Sequence, residues 1–281
     1  MATLSEYRDR EHWSFSALNQ FLNICSLQFA FDRVYKLKRE FTPLNLSFGS
    51  AFHRAMEWLH LTAMADTPPP VAEARDRFQD FWSRQLAEDR DIRFDAKHTQ
   101  NSCSAQGADM VEAVANAIDS DERVVAVNRA FAVPLTDAFG NTLLKPMIGE
   151  IDLVVVEAGC VNETMVDWKT SARRWSKDQA HKSMQATTYC YAHKTNTGRD
   201  APMRFDVAVK AAKPVVERHR TTRTEDDFLR MAVLVRKVEA MVKAEHFLPN
   251  ETGFYCASCP HAGACKSWHR EMARTHVRMA A

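Results

Sequence analysis

Apolar positions recur every three or four residues through most of the first 120 positions and every second residue through much of the remaining chain, so the sequence predicts helices first and a sheet later. Within 14–119, Ser16 is placed to cap a helix carrying Leu18, Phe21, Leu22 and Cys25, and 48–61 and 71–86 continue the pattern on either side of Pro68-Pro69-Pro70. Phe78, Phe81 and Trp82 fall on one helical face and read as core. Near Arg123 the period changes. Residues 124–127, 131–135 and 142–144 form short β-type runs, the last two joined by the turn chemistry of Asp137-Ala-Phe-Gly-Asn141. Two more strands, 151–157 and 161–168, come next across Ala158-Gly159-Cys160, then a helix over 176–193 and strands over 204–209 and 215–219. Thr224-Glu-Asp-Asp227 has the form of a capping box opening a helix to about Ala244.

No repeat or linker divides this pattern, so residues 1–281 read as one α/β domain. It has a mainly helical part (1–122), a sheet core with one helix (123–220), and a closing helix with a cysteine-rich segment and a basic helix (221–281). Hydrophobic residues make up 46% of the 281, enough for a real core. There is no apolar run of about 18 residues and no signal-peptide pattern, so a soluble, cytoplasmic protein with no membrane partner is expected. Seven cysteines, an odd number without a secretory signal, point to reduced thiols or ligands rather than disulfides.

A formal net charge of +1 excludes a globally basic nucleic-acid binder and leaves that role to local patches. Arg33, Lys36, Lys38 and Arg39 form one; Lys169, Arg173, Arg174, Lys177 and Lys182 a second; and Lys266, Arg270, Arg274 and Arg278, four apart, would share one face of a terminal helix. Each also reads simply as a solvated face. Arg173, Arg174, Lys177, Arg270, Arg274 and Arg278 are the candidates for DNA contact.

The cysteines are more specific. Cys256-Ala-Ser-Cys259-Pro260-His-Ala-Gly-Ala-Cys265 supplies three thiols where four close a metal or iron–sulfur site, and Cys25, in the first helical segment, is the candidate fourth. Cys103, Cys160 and Cys190 are assigned to structure. Spacing leaves zinc and iron–sulfur equally open, and His261 or His269 could replace a thiol at zinc. Either centre would clasp the two ends of the chain.

The second constellation is Gly149-Glu150-Ile151-Asp152, then Asp167-Trp168-Lys169, then Gln185 and Tyr189. Asp152 and Asp167 fall on neighbouring antiparallel strands, where facing carboxylates repel unless a hard divalent cation holds them. Asp167 and Lys169, two apart, share a strand face, and Gln185 and Tyr189, four apart, share a helix face. An ammonium beside a metal-binding carboxylate suits phosphodiester hydrolysis. Upstream, His53 reads by itself as an ordinary helix histidine. Gly49, Ser50 and Ala51 before it are small enough to let that helix approach the sheet.

Taken in order, these motifs resemble the PD-(D/E)XK nuclease superfamily, and within it the RecB-like exonucleases with an iron–sulfur cluster, which include CRISPR-adaptation exonucleases and AddB-type subunits. The matching elements are the helix with Cys25, Phe48-Gly49-Ser50-Ala51-Phe52-His53, then GxxD, DxK, QxxxY and three late cysteines. The resemblance implies a restriction-endonuclease-like α/β core, a central mixed sheet flanked by helices, with an N-terminal helical region and a C-terminal cysteine-cluster segment. It implies that Mg²⁺ or Mn²⁺ is held by His53, Asp152, Asp167 and the Trp168 carbonyl. Lys169 is then the catalytic lysine, Gln185 and Tyr189 support it, and Cys25, Cys256, Cys259 and Cys265 hold a [4Fe-4S] cluster, with zinc the alternative. Asp167 stands where that branch more often has glutamate, and 66–122 carries no motif. The implied activity is an exonuclease on single-stranded DNA with a free end, working with a helicase or recombination protein. The rival is a non-catalytic DNA-binding or assembly module of such a complex.

Overall fold

A computed structural model describes residues 3–65 and 69–279, with side chains as far as Met272. The chain opens with α1 (Leu4–Arg8), capped by Thr3, then β1 (Trp13–Ser14) and α2 (Phe15–Asn19). Ser14, not Ser16, caps α2. Ser14 is still extended and its Oγ accepts from the Ala17 N–H at 3.3 Å, whereas Ser16 is already inside the helix. A π-turn (Gln20–Ile24) leads to a break at Cys25, whose extended backbone lets its sulfur cap α3 (Ser26–Phe29). Cys25 thus stands out of the helical line rather than within it.

After β2 (Thr42–Pro43) come α4 (Leu44–Met64), α5 (Val71–Glu88), β3 (Ile92–Arg93) and α6 (Gln100–Ala117). Phe48, Phe52, Met56, Phe78, Trp82 and Met110 bury one face of each long helix in a shared core, so Phe78 and Trp82 are core residues. The small-residue run before His53 works unevenly: Ala51 is fully buried, but a Cβ added at Gly49 would meet nothing within 4 Å.

The sheet begins with β4 (Arg123–Val133), a single strand where two short ones are expected, carrying a bulge between Val124 and Ala126. Residues 142–144 form no strand. Thr142 makes only an isolated bridge to Thr136, and the intervening turn closes on the Asp137 carboxylate, which accepts the N–H groups of Phe139 and Asn141 at 2.9 Å each. Next along the chain are β5 (Met147–Val156), β6 (Glu163–Ser171), α7 (Gln179–Lys182), α8 (Met184–Thr197), β7 (Met203–Val209), β8 (Val215–Thr221), α9 (Glu225–Lys243) and α10 (Ala262–Met279). The helix expected over 176–193 is broken at Ser183, which is extended and whose carbonyl accepts from Arg223 at 2.8 Å. The capping box at Thr224 and Asp227 is formed.

Five strands run in the order β1-β5-β6-β7-β8, with β4 also paired to β5. The sheet is mixed: β1 and β5 are parallel, as are β6 and β7, and the other pairs are antiparallel. Side-chain alternation divides it between two cores. Leu153, Val155, Val166 and Trp168 join the core of α4, α5 and α6, while Val154, Met165, Phe205 and Val207 join that of α2, α3, α8 and α9. The architecture is therefore α/β, a central mixed sheet with helices on both faces. Among the described residues no helix is long and apolar enough to cross a membrane.

The two ends of the chain meet through protein contacts. Ser26 Oγ donates to the Leu248 carbonyl at 3.0 Å, Asn250 Nδ2 to the Ile24 carbonyl at 2.9 Å, and the Gly263 N–H to Glu40 at 2.7 Å. His261, 1% exposed, lies 2.9 Å from Asp32.

Candidate active site

The β5–β6 ladder runs inward from Val156–Glu163 and stops at Leu153–Val166. Asp152 and Asp167 occupy the next register position, where the strands part. Both are buried, Asp167 almost completely. Asp152 Oδ2 accepts the Trp168 N–H at 2.9 Å, a side-chain acceptor for a backbone donor at the ladder's end. His53, from the middle of α4, brings Nδ1 within 3.5 Å of that oxygen, and its ring meets the Trp168 ring edge to face at 6.0 Å. Lys169 forms an ion pair with Asp167 Oδ2. The other oxygen, Oδ1, accepts from Gln185 Nε2 at 2.5 Å, and the same amide lies 3.0 Å from the Tyr189 hydroxyl. Residues from two strands and two helices thus meet around Asp167.

Their charges follow from that crowding. Burial first, and then the Asp167 carboxylate, push Asp152 well above the usual carboxylate range. Burial and the Lys169 ammonium hold His53 below the ordinary histidine range, favouring the neutral imidazole that binds metals. Tyr189 is pushed up by burial and by both carboxylates, so it stays a neutral phenol. Glu150, in the same strand β5 as Asp152 and two residues before it, is raised by burial and by Glu57.

Two carboxylates, a neutral imidazole and a main-chain carbonyl are donors suited to Mg²⁺ or Mn²⁺. The fit shows in one atom: among the described residues the buried Asp167 Oδ2 meets the Lys169 ammonium and no further donor. A divalent cation displacing the proton of the two carboxylates would relieve both repulsion and desolvation. Among the described residues no three His, Cys, Asp or Glu side chains already converge on a single-ion site; Lys169 and Gln185 take the Asp167 oxygens instead.

Three residues that shape the site went unread in the sequence. His60, two turns beyond His53 on α4, stacks on the Trp168 ring at 5.2 Å and is held neutral, its pKa lowered to about 4 through burial and the charges of Arg204 and Arg218. The seven-residue spacing from His53 was the available signal. Phe131 packs edge-on against Tyr189 at 5.8 Å and covers Gly149, a cross-strand pairing that sequence alone does not reveal. Glu150 lay inside the motif without an assigned role.

The four cysteines Cys25, Cys256, Cys259 and Cys265 line one cavity of about 300 Å³ at the meeting of the chain ends. Cys25 Sγ accepts the Asn250 N–H at 3.4 Å, and Gln28 Nε2 donates to Cys259 Sγ at 3.6 Å. Burial, then the neighbouring thiols, raise the Cys265 thiol; burial outweighs a backbone hydrogen bond to raise Cys259. His261 is withdrawn from the candidate ligands by its pairing with Asp32, while His269 does line the cavity. Cys103 and Cys190 are buried, but Cys160 is exposed in the β5–β6 turn and has no packing role.

Of the basic candidates, Arg173 and Lys177 are exposed beyond β6, Arg174 pairs with Glu217 at 2.8 Å, and Arg270 is exposed on α10. The side chains of Arg274 and Arg278 lie outside those described. Two cavities flank the site and share Gln185. One of about 840 Å³ reaches Lys169, and one of about 530 Å³ reaches Glu150 and Tyr189.

Comparison with known proteins gives one family and one fold. The sequence profile of the PD-(D/E)XK nuclease superfamily matches residues 12–266. No curated protein matches the sequence. Among solved structures 23 chains match. One, a crystal structure of a candidate exonuclease from Eubacterium rectale, superposes with a TM-score of 0.55 over 90% of each chain at 14% identity, which shows a shared fold.

Proposed function

The chain belongs to the PD-(D/E)XK nuclease superfamily, and from that premise we propose that it is a divalent-metal-dependent deoxyribonuclease acting from a free end of single-stranded DNA. The observation that carries the catalytic reading is the convergence on Asp167: buried carboxylates at a ladder's end, an ammonium on one oxygen and an amide on the other. A non-catalytic module has no use for two desolvated carboxylates held together, which destabilise a fold unless something binds them.

In this reading His53, Asp152, Asp167 and the Trp168 carbonyl hold Mg²⁺ or Mn²⁺, which supplies Lewis-acid polarisation of the phosphate and a water of lowered pKa. Lys169 presents its ammonium to the developing negative charge or orients the attacking water. Gln185 fixes the Asp167 carboxylate, Tyr189 backs Gln185 as an uncharged phenol, and the His60–Trp168 stack holds the main chain between Asp167 and Lys169. The fold shared with the Eubacterium rectale candidate exonuclease supports exonucleolytic action. Arg173, Lys177 and the α10 arginines are the candidates to contact phosphates, and a helicase or recombination protein in the cytoplasm would supply the strand.

The four thiols form the second site of this reading, a [4Fe-4S] centre of the RecB-like type. Their lining of one cavity of about 300 Å³ supports this reading, with zinc the alternative.

End-labelled and circular single-stranded DNA, incubated with Mg²⁺ or Mn²⁺, test the proposal. Release of mononucleotides or short products from the linear DNA alone, abolished in Asp167→Asn and in Lys169→Met with the fold intact, is the expected result. Native-level cleavage by Asp167→Asn, or none by the native protein with either ion, would refute it.

A further inference from the structure

Between Gly253 and Cys259 the cysteine segment makes a short 3-10 turn, Phe254–Ser258, and two large aromatic side chains project from it. Phe254 is 88% exposed and Tyr255 49%, and their rings meet edge to face at 5.6 Å. Contiguous exposed apolar surface rimmed by polar residues marks interaction sites. Tyr255 stands at a particular place. It lines the cysteine cavity together with Cys256 and Cys259, and it also lines the 840 Å³ cavity that runs to Lys169 and Gln185.

That larger cavity has the chemistry of a strand-binding channel. Trp175 is a second aromatic in its wall, and Lys182 and Arg230 bring positive charge. Arg230 makes no ion pair among the described residues, and Lys182 reaches only Asp178, on the surface, at 3.4 Å. Aromatic faces for bases and separated cations for phosphates are how proteins hold single strands without reading sequence. The Lys169 ammonium paired with Asp167 is part of its lining.

We propose that Tyr255, flanked by Phe254, is a stacking platform for a nucleobase of the single strand whose scissile phosphate lies at Lys169. Because the ring is shared with the wall of the cysteine cavity, whatever the thiols bind fixes the platform's position. This gives the cysteine centre a part in substrate engagement beyond joining the chain ends. The inference rests on the nuclease reading and names where the substrate strand lies. A sequence-tolerant stack predicts weak base preference, since every base offers a π face. Phe254 and Tyr255 are positioning residues, and neither touches the reacting atoms.

The test uses the full chain with its cysteine centre loaded. Fluorescence anisotropy with a labelled oligothymidylate, in Ca²⁺ to block cleavage, is compared for the native protein, Tyr255→Ala, Phe254→Ala and Tyr255→Phe. Tyr255→Ala is expected to weaken binding about tenfold, Phe254→Ala less, while Tyr255→Phe retains native affinity because the face and not the hydroxyl is used. In Mg²⁺ the loss should appear in KM, with kcat held within about twofold, and hydrolysis of bis(p-nitrophenyl) phosphate, which has no base to stack, should be unchanged. Native affinity in Tyr255→Ala, or equal losses in Tyr255→Ala and Tyr255→Phe, would overturn the platform. An inert native protein would overturn the nuclease reading instead, and anisotropy would still report on the platform.

Discussion

Gly149→Ala offers the sharpest test of how the fold positions the active site. Gly149 has ordinary strand backbone, so alanine meets no conformational strain; what it meets is Phe131. A Cβ at 149 would stand 2.5 and 2.8 Å from two atoms of that ring, where ordinary contact begins at 3.4 Å, so the ring must shift by roughly 1 Å. Phe131 cannot shift freely because Tyr189 packs against it, and Tyr189 touches Gln185, which holds Asp167. Overpacking of this kind costs about 1–3 kcal/mol, and a displacement near 1 Å in a catalytic group lowers kcat up to about a hundredfold. At about 2–4 °C per kcal/mol for a chain of this size, Tm should fall by roughly 2–12 °C. Thermal melts and single-turnover cleavage of Gly149→Ala, Phe131→Leu and the double variant read both effects. The smaller leucine leaves room for the methyl group, so the double variant should be more stable than the sum of the single losses by about 0.5–3 kcal/mol. A Gly149→Ala protein with native Tm and kcat, or strictly additive double-variant losses, would refute this chain of contacts.

Asp152 predicts an unusual pH response. Its folded pKa is raised, so between the ordinary carboxylate value and the raised one the folded state binds more protons than the unfolded. Without divalent ions, stability should therefore decline as pH rises through that window. Melts in EDTA should show the decline, Mg²⁺ should reverse it most at the high end, and a slope unchanged in Asp152→Asn would remove Asp152 as its source. Cys25→Ser should abolish bound iron and acid-labile sulfide while costing less stability than the roughly 5 kcal/mol limit for closing so long a loop, because serine preserves the Asn250 contact and the ends are already joined at Asp32, Glu40 and Ser26. Full iron and sulfide in Cys25→Ser would exclude Cys25 as a ligand, and stoichiometric zinc in the native protein would replace the cluster with the simpler centre.

Much of the site was legible in the sequence because its chemistry depends on local periodicity. The two-residue spacing of Asp167 and Lys169 and the four-residue spacing of Gln185 and Tyr189 survive any change in tertiary context once strand and helix are assigned. The elements over 48–61, 71–86 and 204–209 were equally readable because they carry strong periods, whereas the short run 142–144 forms no strand. Boundaries were not legible. The break at Ser183 involves Arg223, forty residues away, and the two short runs merge into β4 because both pair with the single strand β5 from Arg123 to Val133. Buried charge was the other blind spot. Nothing in the pattern of strand 204–209 marks Arg204, yet it is 2% exposed and held at 2.5–2.7 Å by Asp206 on its own strand and by Glu122 and Glu157 from two distant segments.

The same distinction bears on the cysteine centre. The sequence offers the four thiols as a clasp between the first and last segments. The structure supplies another connection, centred on Asp32. Burial alone would raise this carboxylate, but hydrogen bonds from Arg39, His261 and Gln20 more than offset that and hold it below the usual range. A group with a depressed pKa stabilises the fold above its unfolded value and loses that contribution as pH falls through the folded one. At neutral pH the ends are therefore held by a half-buried, well hydrogen-bonded carboxylate whether or not the thiols are occupied. A centre bound by the four thiols would therefore act locally, on the 254–259 segment, whose Tyr255 forms part of the wall of the cavity leading to Lys169. That places the effect of its loss on substrate binding more than on global stability.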